Sequence, residues 1–457
     1  MDARILEDIA FAGNGRDNWQ KLVEKALKGA DFAATLTSAS DDGLVIEPLY
    51  ARRKGAHPLA RQSSGGWTVA QRMDDPDEKR ALVQMADDLE NGATGISLVC
   101  GDSPCAYGLG LDQMTASLLS RLAAARAAHR YAIRLEGGSL AVDGAQELAR
   151  AIDTAGGNGG AIHFGIDPMS AMVFSGNGAQ PGKFAEAVKS LKLLDHAGSI
   201  LTASGRAVHN AGGTEAQELA FMAASLAHYL REMDAAGMDA GDTFALCGLA
   251  LSADQDQFLT IAKGRAARLI VARMQEICGI SKPSAAHLMM ETSYRMLTRL
   301  DPETNILRNT TAVFAAGVGG ADEVTVLSHT LTHGNPDPLA RRLARNTQVI
   351  LMTESHLDQV CDPAAGAGGI EALTDGLCEA AWEIFTAIEK NGGIIRALTD
   401  GSFAASVASK AKSRVSRPIV GTTLFPMDKE RAVTVLGPLE KCTASGLAPT
   451  LLSDRAE

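Results

Sequence analysis

Residues 201–213 read LTASGRAVHNAGG, and this stretch decides the fold. The apolar run over 199–203 predicts a short strand, which Ser204 and Gly205 end. Arg206, His209 and Asn210 follow. Gly212 and Gly213 then lead into TEAQELAFMAASLAHYL, whose apolar residues recur at helical spacing. The unit is strand, loop, helix, with its polar residues just past the strand's carboxyl end. In a parallel barrel that position is the mouth, where α/β barrels place their chemistry.

The same unit recurs along the chain. Strands are predicted over 67–73, 95–100, 132–135, 161–166, 199–203, 243–249, 287–292 and 323–327. The intervening helices are predicted over 76–91, 113–128, 144–155, 183–195, 215–235, 253–278 and 303–316, with one more over 338–351. Asp75-Pro76-Asp77-Glu78 reads as a capping box with proline at the first helical position. Alternating strands and helices imply a parallel sheet, right-handed crossovers wind it in one sense, and eight repeats close it. The fold class is therefore α/β, a (β/α)8 TIM barrel. An N-terminal helical arm precedes it and extra helices over 369–390 and 394–411 follow it. The expected organisation is an arm and linker over 1–60, the barrel over 61–425, and a polar tail over 426–457 that is loose at its tip. In the arm, Trp19, Leu22, Val23, Ala26 and Leu27 share one helical face and Gly29 ends the helix. This arm is too small to bury its own apolar face, so it must cover the main body or another chain.

At about 150 residues per domain, 457 residues would make roughly three domains, but α/β barrels of ~250 residues or more form one unit. Glycine, 46 residues, exceeds the ordinary ~7%, which suits many tight strand–helix turns. Aromatics are only 4%, so the core must be aliphatic. The net charge of −11 argues against binding a phosphate backbone. Seven dispersed cysteines with no CxxC pair read as reduced thiols, which points to the cytoplasm. The first fifteen residues carry Asp2, Glu7 and Asp8 and no sustained apolar run, unlike a secretory signal. No run of about 18 apolar residues is present to span a membrane.

Several motifs invite chemistry. Residues 156–160 (GGNGG) and 317–320 (GVGG) lie between a helix and the next strand, at the barrel's bottom, where tight turns are the default. Residues 175–178 (SGNG) follow the fourth strand and precede a helix, a better place for a backbone phosphate cradle. His329 and His333, four apart in a top-face loop, lack an evident third metal ligand and read as a hydrogen-bonded pair. Arg206, His209 and Asn210 are the binding candidates at the mouth. The competing reading is that they cap the next helix and pair across the rim. No carboxylate neighbours His209 in sequence, so nothing there singles it out as a tuned acid or base.

Further residues carry a family likeness: Ile46-Glu47-Pro48-Leu49-Tyr50, Gly66-Trp67, NILRNTTAVFAAGVGGAD at 305–322, ARRLARNTQ at 340–348, Glu354-Ser355-His356, Asp362-Pro363 and Glu371-Ala372-Leu373-Thr374. Over nearly its whole length the sequence resembles the methylmalonyl-CoA mutase family. The resemblance implies a barrel and, in the family's large chains, a carboxyl-terminal cobalamin domain. Those chains use adenosylcobalamin to interconvert methylmalonyl-CoA and succinyl-CoA, and the cofactor supplies the hard step.

The sequence departs from the catalytic pattern. Catalytic chains have Tyr-His where this chain has Arg206-Ala207, so no catalytic residue is expected. No histidine has an aspartate two residues before it, as the cobalt-binding Asp-x-His-x-x-Gly motif requires, and the chain ends before a cobalamin domain could begin. Gly369 replaces a family aromatic. HNAGG at 209–213 and METSYRMLTRLDP at 290–302 resemble the small, non-catalytic chain of the heterodimeric bacterial enzyme. The resemblance thus implies a large catalytic subunit as partner, adenosylcobalamin and acyl-CoA bound through that partner, and no metal or cofactor on this chain alone. One alternative is a catalytic barrel that borrows a cobalamin domain from a separate chain. Another is a barrel that binds an acyl-CoA without chemistry.

Overall fold

The computed structural model describes residues 15–59, 61, 65–138, 141–156, 160–176, 184–194, 196–415, 417–440 and 444–455. Its centre is one eight-stranded parallel sheet: β1 Thr68–Met73, β2 Gly95–Val99, β3 Ala132–Glu136, β4 Ile162–His163, β5 Leu201–Ser204, β6 Cys247–Ala253, β7 Leu288–Thr292 and β8 Glu323–Thr325. β8 pairs with both β7 and β1, with Glu323 opposite Met289 and Thr68. Between β4 and β5 the ladder is thinner but continuous. Phe164 N–H donates to Ser199 O (2.9 Å) and Thr202 N–H to Ile166 O (3.0 Å). The sheet is a closed (β/α)8 barrel.

Local chemistry sets the helix starts. Aspartates at Asp77, Asp167, Asp239, Asp256 and Asp337 each accept the backbone N–H of the residue three ahead. Such a cap contributes about 1 kcal/mol. Thr214 and Gln217 form a reciprocal capping box on the Glu215–Ala235 helix. The Ala141–Thr154 helix buries Ala141, Ala145, Leu148, Ala149 and Ile152, the stripe its spacing requires.

Four expectations shift. Residues 243–246 are not strand: Asp239 caps a short helix, Ala240–Leu246, and β6 begins at Cys247. The following helix starts at Gln257, because β6 runs to Ala253 and the cap falls on Asp256. Pro76 stands before the Asp77 cap instead of in the first turn. The region expected as one helix over 394–411 is two, Gly393–Thr399 and Ser402–Ser413, broken at Gly401, which takes a φ of 75°.

The arm divides in two. In its helix, Arg16–Leu27, no residue is buried and Leu22 is 65% exposed. Further on, the chain grips the barrel. Asp42 accepts the Ala216 N–H (3.2 Å), Asp41 pairs with Arg414 (2.6 Å), and Leu44 and Ile46 pack on the core. Tyr50 lays its ring over Gly369, where a Cβ would stand 3.3 Å from the ring edge. The tail is not free either: residues 444–453 are bonded across the mouth, and Leu451 is buried. The long helix Gly368–Lys390 packs across the Glu215–Ala235 and Gln257–Ile277 helices on the outside. Among the described residues, no helix is long and apolar enough to cross a membrane.

Candidate functional site at the barrel mouth

Two layers of charge fill the barrel axis. In the lower layer Arg134, from mid-β3, reaches across to Glu323 on β8 with two bonds of 2.7 and 2.9 Å. The imidazoles of His163 and His287 lie beside them, ring centres 4.0 Å apart and tilted by 32°. Burial opposes the charge on Glu323, but the Arg134 guanidinium outweighs it and holds that carboxyl below its ordinary range. Burial pushes His287 down to about 4. Burial, with His287 alongside, pushes His163 well below its ordinary value.

The upper layer sits at the lip. Arg206 donates twice to Glu136 (2.8 and 2.7 Å) and lies 3.6 Å from Glu291. Arg72 binds Glu291 (2.8 Å) and Asp74 (2.6 Å). Tyr107 donates to Glu291 (3.0 Å), accepts from Asn210 (2.9 Å) and stacks on Tyr294 with ring centres 4.6 Å apart. Burial works against the Arg206 charge, yet Cys105, Glu136 and Glu291 raise its pKa well above the ordinary value. Beside this layer the recess lined by Cys105, Glu136 and Arg206 measures about 20 Å³.

The opening stretch forms a short helix, Arg206–Asn210, and not an open loop. Gly212, at a φ of 97°, reverses the chain into the Thr214 cap. Arg206, His209 and Asn210 are 2%, 0% and 2% exposed. Asn210 is fully engaged: its amide also accepts from Ser293 Oγ and the Arg295 N–H. His209 Nδ1 lies 3.0 Å from Glu218, and Nε2 lies 3.0 Å from Ser293 Oγ and 3.6 Å from Asp254. Lys263 binds Glu218 (2.6 Å), and Arg295 bridges Glu215 (2.9 Å) and Asp254 (3.1 Å). Burial, then Arg295 and Lys263, keep His209 neutral by lowering its pKa well below the usual value. Ser293, His209 and Glu218 have the spacing of a nucleophile, base and orienting acid. Ser293, however, is 0% exposed, so no substrate reaches it.

The sequence reading found His209 but not its carboxylates. Glu215 and Glu218 lie on the next helix and Asp254 ends the next strand, so only folding brings them near. It also passed over Arg72, Arg134 and Glu291. Their signal was available: single charged residues inside apolar strands of a barrel face its interior.

Two clusters among the described residues could hold a metal on distance alone, His163–His287–Glu323 and His209–Glu215–Asp254. Proton placement counts against the first. The Ser199 backbone N–H donates to His163 Nδ1 (3.2 Å), and Arg134 Nη2, which can only donate, lies 3.5 Å from His287 Nδ1. Both Nε2 atoms therefore carry the hydrogen and face Glu323, so neither offers a lone pair there. In the second cluster Lys263 and Arg295 already supply the positive charge. His329 and His333 belong to neither cluster, and His333 Nε2 bonds to Arg299 O (2.8 Å). Of the glycine clusters, Gly317 packs on the Trp67 ring, where a Cβ would stand 2.7 Å away. Residues 157–159, 177 and 178 lie outside the described residues.

The fold and mouth define a class: a (β/α)8 barrel whose axis is filled with paired charge. Comparison with known proteins gives the family. The sequence model described as methylmalonyl-CoA mutase matches residues 196–437. The methylmalonyl-CoA mutase small subunit of Streptomyces virginiae is 36% identical over 455 residues, covering 93% of this chain and 72% of that protein. The small subunit from Propionibacterium freudenreichii subsp. shermanii is 31% identical over 449 residues, covering 91% and 69%. A probable small subunit from Mycobacterium tuberculosis (strain H37Rv) is 38% identical over 307 residues, covering 65% of this chain and 49% of its own length. This chain belongs to the methylmalonyl-CoA mutase family.

Proposed function

We propose that this chain is the small, non-catalytic subunit of an adenosylcobalamin-dependent methylmalonyl-CoA mutase. It works as a heterodimer with a large chain that holds the cofactor and interconverts methylmalonyl-CoA and succinyl-CoA. The names of its relatives support the assignment. The observation that carries the non-catalytic part is Arg206-Ala207, where catalytic chains have Tyr-His. The Ala207 side chain has no hydrogen to donate to a thioester carbonyl, and the Arg206 guanidinium lies across the axis, bound to Glu136. His209, two residues on, is fully buried and turned toward Glu218 and Ser293. A ligand pocket is commonly ~300–1,000 Å³, and the recess at the lip holds about 20 Å³. Arg206, His209 and Asn210 serve on this reading to hold the mouth closed.

Adenosylcobalamin does not fit this chain's own mouth. A corrin needs an open face, whereas residues 444–453 cross that face and the His209 imidazole beneath it is sealed. The barrel is then a rigid body that presents surfaces, with the uncovered helix Arg16–Leu27 as its clasp. Purified chain mixed with adenosylcobalamin and methylmalonyl-CoA should form no succinyl-CoA, and should associate with the large chain. Turnover by this chain alone would overturn the proposal.

A further inference from the structure

Residues 444–452 have no helix or strand, and Ser453 opens a single 3-10 turn, yet the segment is seated on the mouth. Gly446 and Leu447 donate backbone N–H groups to Phe174 O and Val173 O (both 2.9 Å), at the end of the top-face helix Pro168–Ser175. Thr450 donates to Asn210 O (2.8 Å) and Leu452 to Arg295 O (2.8 Å). The segment thus bridges the connections that follow β4, β5 and β7. An extended chain alternates its side chains between two faces. Ala448, Thr450 and Leu452 line a half-open cavity of about 660 Å³, shared with Leu259, Arg295 and Arg414. Leu451 points the other way. It is 1% exposed and packs in a cluster with Cys105, Tyr107, Leu109, Leu297, Leu327 and Leu331, carried by the loops after β2, β7 and β8.

The seat is shaped for this backbone. At the crossing both chains are glycine. A Cβ on Gly176 would stand 2.9 Å from the Ser445 carbonyl, and one on Gly446 would stand 2.2 Å from Val173 O. Yet the hold is shallow: between 444 and 454 only Leu451 and Ser453 are buried. A segment with one deep apolar side chain and a few backbone bonds lies at the low end of the stability range within a fold. The charges lining the neighbouring cavity are mostly matched already, Arg295 with Glu215 and Asp254, and Arg414 and Arg417 with Asp41.

We propose that residues 444–453 form a displaceable lid, with Leu451 as its plug, and that lifting it joins the 660 Å³ cavity to the apolar pocket above the Arg206–Glu291 layer. The lid adds a second closure, independent of the ion pairs beneath it, and does not depend on the proposed function.

Hydrogen exchange on the full chain tests it. The amides of Leu447, Thr450 and Leu452 should exchange together and at least about tenfold faster than those of β6 and β7. Gly446→Val meets the Val173 carbonyl without needing an unusual backbone angle, and Leu451→Ala removes the plug. Both variants should keep the far-UV spectrum, speed exchange at 105–111, 294–297 and 327–331, and bind anilinonaphthalene sulfonate several-fold more brightly. The proposal fails if the lid amides of the parent exchange only as slowly as the barrel strands. It also fails if either variant unfolds the barrel, or if both leave exchange and dye binding unchanged.

Discussion

The barrel axis and the N-terminal helix break opposite rules. On the axis, Arg72, Arg134, Arg206, Glu291 and Glu323 are charged groups buried to 1–6% exposure. On the Arg16–Leu27 helix an apolar stripe lies in the open, and no residue is buried. Each violation costs free energy unless a partner offsets it. The axis finds its partners inside the chain, as ion pairs of ideal length. Among the described residues the helix has only an edge contact between Trp19 and Phe32, ring centres 6.1 Å apart, and an exposed ion pair of Arg16 with Glu47 (2.9 Å). The comparison teaches where this protein is finished and where it is not: the charges of the axis are paired within the chain, and among the described residues the apolar stripe of the arm helix is left uncovered.

The largest effect should come from breaking the axis on one side only. Arg134→Ala leaves Glu323 buried without its cation and should cost about 3–5 kcal/mol in urea unfolding. Arg134→Met with Glu323→Met should recover most of that loss, since apolar side chains of similar volume replace buried pairs well. If the double variant is no more stable than the single one, the pairing account of the axis is wrong.

Acid sharpens the same contrast. His287 titrates at about 4 in the fold and at its ordinary 6.5 when unfolded. Between those values the unfolded chain takes up a proton that the native chain refuses, so stability falls as pH drops through this window. Asp42 and Asp167, both raised to about 6 chiefly by burial, act in the opposite direction between 6 and their ordinary 3.8. The comparison must therefore be made against His287→Asn, which retains those two carboxyls. From pH 7 to 5 the parent's stability, relative to that variant, should fall by about 2 kcal/mol. A flat difference would mean that the lower layer does not hold His287 neutral.

A smaller effect is expected where arm meets barrel. Asp42→Ala removes the acceptor for the Ala216 N–H and should cost about 1 kcal/mol. The smallest effect should come from the arm helix. Leu22 is 65% exposed, so Leu22→Asp should change this chain's stability by no more than about 0.5 kcal/mol. Its capture of the large chain, read by co-purification, should nevertheless weaken. Unchanged capture would show that the clasp lies elsewhere.

The sequence was most legible where the rule is local. Seven of the eight strands fell where apolar runs predicted them, because a strand of a parallel barrel is buried on both faces and reads as a continuous run. The sixth was displaced because residues 243–246 are apolar enough for either state, and the Asp239 cap decided for helix. Arg206, His209 and Asn210 could be named from their position after a strand. Their surroundings could not, because Glu136, Glu291 and Asp254 arrive from other staves of the barrel.

The sequence by itself determined the alternation of strands and helices, the caps that start them and the family likeness. These follow from neighbours along the chain. Only the tertiary structure decided that the axis is filled, that His209 is neutral and sealed, and that Leu451 covers the mouth. Those facts depend on which distant residues share one low-dielectric interior, and barrel closure sets them all at once.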